Sequence, residues 1–122
     1  MSTLQESLHR FLAVEGVRTA ALIDIATGMI VRSVGKPDPD LASTAACVAD
    51  EARAARDALG GGGQADGLVE ITTVMDSRLQ VSRVLQYAPS EGLLLFVDLE
   101  RGRSNMGLAS LRIGQLAPTV LA

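Results

Sequence analysis

A chain of 122 residues, 48% hydrophobic and 20% charged, has the composition of a soluble globular protein and the length of one compact core, so residues 1–122 read as a single domain. A formal charge of −3, a lone lysine (Lys36) and arginines that alternate with acids (Arg53 and Arg56, Arg78 and Arg83, Arg101 and Arg103) leave no basic stripe for nucleic acid. His9 is the only histidine and Cys47 the only cysteine, which excludes most catalytic and metal constellations and any intrachain disulfide.

The N-terminus carries Glu6 and no early Lys or Arg, unlike a secretory leader, and no apolar run approaches the ~18 residues of a membrane span. A cytoplasmic protein is the expectation. Thr3 followed by Glu6 has capping-box spacing, and Leu4, Leu8, Phe11 and Leu12 share a face, so helix one is expected from about Leu4 to Leu12. Val17 to Ile25 is a mostly apolar run, with Arg18 the one charged position from Arg18 to Ile23, as expected of a buried strand; Thr27-Gly28 turns the chain, and Met29 to Val34 returns as the second strand of a hairpin.

Gly35-Lys36-Pro37 breaks that strand. Asp38 has the chemistry of a cap, Pro39 the φ of a first helical position, and helix two follows to about Leu59. Leu41, Ala45, Val48, Ala52 and Leu59 share one face, expected to lie on the sheet. A second side carries Thr44, Cys47, Ala54 and Ala58, interrupted by Glu51, while Asp50, Arg53 and Asp57 hold the wet side. Two readings fit the small residues: helix propensity alone, or close packing on a partner helix.

Gly60 to Gly63 suits a helix end and a flexible loop. It is not a P-loop, because it exits as Gln64-Ala65-Asp66-Gly67 and lacks the Lys-Ser/Thr that reaches phosphate and magnesium. Leu68 to Met75 is β-branched, Asp76-Ser77 marks a tight turn, and Arg78 to Tyr87 puts Leu79, Val81, Leu85 and Tyr87 on one face. Ala88 to Gly92 is a loop. Leu93 to Leu99 is nearly continuously apolar and is expected near the centre of the sheet. Ser104 or Asn105 caps a last helix with Met106, Ala109, Ile113 and Leu116 on one stripe, Leu108 and Leu111 well round from it, and Pro118 as its stop.

Site chemistry is sparse. His9 has no nucleophile or acid signalled beside it, and Cys47 sits among alanines inside a helix, away from the N-terminus that would lower its pKa; it is expected as a small buried or interface residue. Asp24, Asp76 and Asp98 lie at strand ends, where turns place aspartate routinely. No catalytic, cofactor or metal residue is assigned, no cofactor is expected, and a binding or regulatory role is the default.

The order α-β-β-α-β-β-β-α, the stretch Val17 to Gly35 with its Asp-x-x-Thr-Gly turn at Asp24 to Gly28, the alanine-rich helix two, and Gly92 to Leu99 leading into Asn105 to Ala109 together resemble the bacterial Roadblock/dynein light chain family over almost the whole chain. The resemblance implies an α+β, profilin-like fold, with a five-stranded antiparallel sheet, helix two on one face and the terminal helices on the other. It implies a homodimer in which third strands pair edge to edge and second helices lie side by side. The interface would then comprise Thr44, Cys47, Glu51, Ala54 and Ala58 of helix two and Leu68, Val69, Glu70, Ile71, Thr72, Thr73 and Val74 of the strand, with Asp50, Arg53, Arg56 and Asp57 as a candidate partner surface. It also implies a separately encoded Ras-like small GTPase as partner, which the dimer regulates or scaffolds without a nucleotide site of its own. A PAS- or GAF-like small-molecule sensor, a generic dimerisation module, and an enzyme using Asp24 or Asp98 are the other function classes carried forward.

Overall fold

The computed structural model describes residues 3–60, 67–86 and 92–120. Gly61 to Gly63 and the Gln64-Ala65-Asp66 exit, Tyr87, and the loop from Ala88 to Glu91 lie outside the described residues. In chain order the elements are α1 (Leu4–His9), β1 (Val17–Asp24), β2 (Ile30–Gly35), α2 (Leu41–Gly60), β3 (Glu70–Val74), β4 (Arg78–Val84), β5 (Leu93–Glu100) and α3 (Met106–Leu116). The strands form one antiparallel sheet in the order β2-β1-β5-β4-β3. This is the α+β layout expected from the sequence.

The apolar runs of β1 and β5 follow from that order, since both are interior strands with cover on both faces. Along β5 the pleat sends Leu95, Val97 and Leu99 to one face, with Leu8, Phe11, Ala109 and Ile113 of the terminal helices. Leu94 and Phe96 go to the other, with Ala45, Val48, Ala49 and Ala52 of α2. That second face is packed with alanine, so the helix approaches the sheet closely.

The ends of several elements differ from the sequence reading. The Thr3 cap forms, its Oγ1 accepting from the Glu6 N–H at 3.1 Å, but α1 tightens after His9 into a 3-10 turn at Arg10–Ala13. The helix α2 begins at Leu41 rather than at Pro39, because Asp38 Oδ1 accepts from the Asp40 N–H (2.9 Å) and the Leu41 N–H bonds to the Asp38 carbonyl (3.2 Å), closing a turn first. Leu59, expected on the sheet-facing side, is 43% exposed near the last turn of α2. Strand β4 ends at Val84, although Leu85 still reaches the core. At α3, Asn105 rather than Ser104 is the cap, Oδ1 accepting from the Leu108 N–H at 3.0 Å, while Met106 is 51% exposed instead of lying in the buried stripe. The chain continues through Pro118 as a 3-10 turn.

The β1–β2 turn is built as its residues suggest. Asp24 Oδ1 accepts from the Ala26 N–H (2.9 Å) and the Asp24 carbonyl from the Gly28 N–H (2.7 Å). Gly28 takes φ +75°, and a Cβ there would stand 3.1 Å from the Cα of Ala46, so the turn lies against the α2 backbone.

Candidate interaction surface

The sheet has two edges, and they differ. Strand β2 carries a bulge opposite Leu22/Ile23, an exposed Arg32, and then Lys36 and Pro37, all features that discourage pairing with another chain. Strand β3 pairs with β4 in unbroken register from Glu70↔Arg83 to Val74↔Leu79, and among the described residues no strand lies on its other side. It carries neither Lys nor Pro. Thr72, Thr73 and Val74 are exposed, as is Val69 just before it, while Leu68, Glu70 and Ile71 are half-buried.

Glu70 is committed within the chain. Its carboxylate meets Arg83 Nη1 (3.3 Å), accepts from Ser110 Oγ of α3 (3.0 Å) and lies 3.4 Å from Thr72 Oγ1. Arg83 in turn rests against Gly114, where an added Cβ would touch the guanidinium at 3.5 Å. The edge strand is thereby tied to α3 by a charge-assisted network that periodicity alone does not reveal.

On α2, Arg53 fixes the helix's rotation. Its Nη1 donates to the carbonyl oxygen of Ile25 and to that of Ala26 (3.4 Å), and its Nη2 to Asp50 Oδ1, so it clamps the β1–β2 turn. With that flank turned to β2, the helical period directs Thr44 and Glu51 toward the β3 side and Cys47, Ala54 and Ala58 outward. Cys47, Glu51, Ala54 and Ala58 are exposed and Thr44 is half-buried. Cys47 is therefore not buried within the chain. Its Sγ donates to Glu51 Oε1 at 3.7 Å, and the Glu51 charge, ahead of desolvation, pushes the thiol above its ordinary 9.0.

Of the four residues of the candidate partner surface, Asp50, Arg53 and Asp57 follow one another at helical spacing on one side of α2, and Arg53 bonds to Asp50. Asp50 and Asp57 are exposed, Arg53 serves the turn, and Arg56 lines a cleft with Gly67, Leu68, Val84 and Gln86. His9 is exposed, Asp24 and Asp76 are turn residues, and among the described residues no group of three or more His, Cys, Asp or Glu is placed to hold a metal. Asp98 departs from the strand-end reading: it is 3% exposed inside β5, between Thr19 and Gln80 on the neighbouring strands. Among the described residues no helix is long and apolar enough to cross a membrane.

No family model matches the sequence, and no curated protein matches it. Solved structures do share the fold. A Roadblock/LC7 domain from Streptomyces avermitilis superposes with a TM-score of 0.80 at 18% identity, covering 98% of this chain and 95% of that one. An MglB structure described as having a tetrameric arrangement gives 0.78 at 24% identity, over 96% of this chain and 84% of that one. The gliding protein MglB from Thermus thermophilus gives 0.76 at 23% identity, over 93% and 82%. The chain thus has the Roadblock/LC7 fold.

Proposed function

We propose that this Roadblock-fold chain is a non-catalytic homodimeric regulator or scaffold for a separately encoded Ras-like small GTPase, acting in the cytoplasm. The observation that carries the dimer is the contrast between the two sheet edges: β2 is bulged and followed by Lys36 and Pro37, whereas β3 is regular, unprotected and flanked by exposed Val69 and Val74. Pairing β3 with its copy across a two-fold axis continues the sheet through both subunits and brings the β3-side flank of α2, Thr44 and Glu51 with Cys47, Ala54 and Ala58 along its outer border, toward its mate. Small side chains there allow backbones to approach closely. Self-association also occurs among proteins of this fold, as the tetrameric MglB arrangement attests for that protein.

The GTPase half of the reading rests on the sequence resemblance, carried by the Asp24 to Gly28 turn, the alanine-rich α2 and the β5–α3 junction. A regulator of this kind acts by holding the GTPase's own groups in position, since phosphoryl transfer depends chiefly on positioning and charge stabilisation. The small-molecule sensor is less favoured, because Ala45, Ala49 and Ala52 fill the space between α2 and the sheet against Ala21, Ile23 and Phe96.

The test is a calorimetric titration of each Ras-like GTPase of the source genome, loaded with GDP or with a non-hydrolysable GTP analogue, followed by single-turnover hydrolysis. Binding of one GTPase in one nucleotide state, at two chains per GTPase, is expected. A change in hydrolysis rate then distinguishes an activator from a scaffold. Failure of every GTPase to bind in either state would overturn the reading.

A further inference from the structure

The exposed large apolar side chains of the described residues fall in three places: Met29 and Val31 at the β1–β2 turn, Leu59, Val69 and Val74 at the end of α2 and along β3, and Met106, Leu108 and Leu111 on α3. The proposed dimer accounts for the second group. The third lies on the other face of the sheet, where α3 buries Ala109 and Ile113 and leaves Leu108 49% and Leu111 57% exposed.

Beside this stripe, α3 and the 3-10 turn after α1 enclose a groove of about 400 Å³. Val14, Leu108 and Leu116 supply apolar lining, and Arg10, Glu15 and Arg112 bring charge to it. Arg112 is the only charged residue of α3, and it forms no ion pair among the described residues. Glu15 shares the groove without pairing to it.

We infer that this groove docks an acidic amphipathic helix of a partner protein, whose apolar anchors cover Leu108 and Leu111 and whose carboxylate meets Arg112. Two features select that occupant. The apolar surface runs past the groove, since Leu111 and Met106 stand outside its lining, so a small ligand filling the groove leaves them wet. A helix presenting anchors one turn apart covers both groove and ridge, because Leu108, Leu111, Arg112 and Gln115 recur at helical spacing on one side of α3. An arginine without a carboxylate at the rim of an apolar contact then favours a negatively charged partner and rejects a positive one. A second copy of this face brings two arginines, Arg10 and Arg112, against one acid, Glu15, among the groove's lining, and so matches the charge less well than an acidic helix.

The docking surface does not use the α2–β3 side and stands or falls separately from the dimer. Its test uses two synthetic helical peptides with leucines at helical spacing, one flanked by glutamates and the other by lysines, titrated into the isotope-labelled full chain. Amide shifts should concentrate at Val14, Leu108, Leu111 and Arg112, with the glutamate peptide binding at least about tenfold tighter. Arg112→Glu should reverse that preference, and Leu111→Ser should weaken the glutamate peptide by about tenfold. Both side chains are exposed, so unchanged thermal midpoints are expected and verify folding. Absence of binding, equal binding of the two peptides, or shifts mapping elsewhere would overturn the inference. So would a fall in solution mass on Leu108→Ser or Leu111→Ser, which would assign the face to a second copy of the chain.

Discussion

Arg78 Nη2 stands 3.6 Å from Asp98 Oδ2 inside the sheet, while the other oxygen of that carboxylate meets no donor among the described residues. The aspartate side chain is nearly buried and the arginine about one-third exposed. Desolvation is the largest influence on Asp98 and raises its pKa above the ordinary 3.8; Arg78 and Arg18 and a hydrogen bond from Gln80 pull it back, and Asp38 pushes it further up.

The sign of the resulting pH dependence follows directly. An acid whose folded pKa is raised gives a contribution to stability that is fully present below its unfolded pKa and is lost as pH rises through the folded value. Asp98→Asn removes the buried charge, so the variant should gain on wild type as pH rises from about 3.8 through the raised folded value and keep that gain at neutral pH. Urea unfolding of both proteins across acid to neutral pH checks this. A variant less stable than wild type at neutral pH would show that the Arg78 pair outweighs desolvation.

The β1–β2 turn should be sensitive from both sides. Gly28→Ala forces a side chain into positive φ and against the Ala46 backbone, and about 1–3 kcal/mol of destabilisation is expected. Arg53→Ala removes the donor to the Ile25 and Ala26 carbonyls and should cost about 1 kcal/mol. Thermal unfolding measures both, and the two losses should not add, because each loosens the same turn from α2.

Cys47 should react slowly for an exposed thiol. Its pKa is raised by Glu51, so little thiolate is present near pH 8. In a chain dissociated by Val69→Lys, where no mate covers this side of α2, Glu51→Gln lowers that barrier to ionisation, and iodoacetamide should then label Cys47 faster at pH 8 than in the same chain with Glu51. Equal rates would mean that Glu51 does not govern the thiol.

The parts of the fold legible in the sequence are those governed by periodicity and turn chemistry. The element order, the interior position of β5, the Asp24 to Gly28 turn and the outward Leu108 and Leu111 all follow from local pattern. What escaped is set by partners distant in sequence. Leu59 has the right helical phase but lies near the end of α2, where it remains exposed, and Asp98 reads as a strand-end acid although its neighbours Thr19 and Gln80 enclose it. Arg53 resembles a solvated surface charge until the Ile25 carbonyl is placed beside it, and Glu70 resembles an edge residue until Ser110 of α3 reaches it. Such contacts leave no spacing signature to read.

In the proposed dimer β3 and the β3-side flank of α2 form a two-fold interface, and light scattering reads its presence as solution mass. Wild type should have about twice the 12.7 kDa of one chain, or a multiple of that dimer. The double variant Val69→Lys with Ala54→Glu should dissociate to a folded species at one chain mass, since both side chains are exposed in the isolated subunit. A wild type that runs at one chain mass, or a double variant that keeps the mass of the wild-type assembly, would contradict this interface.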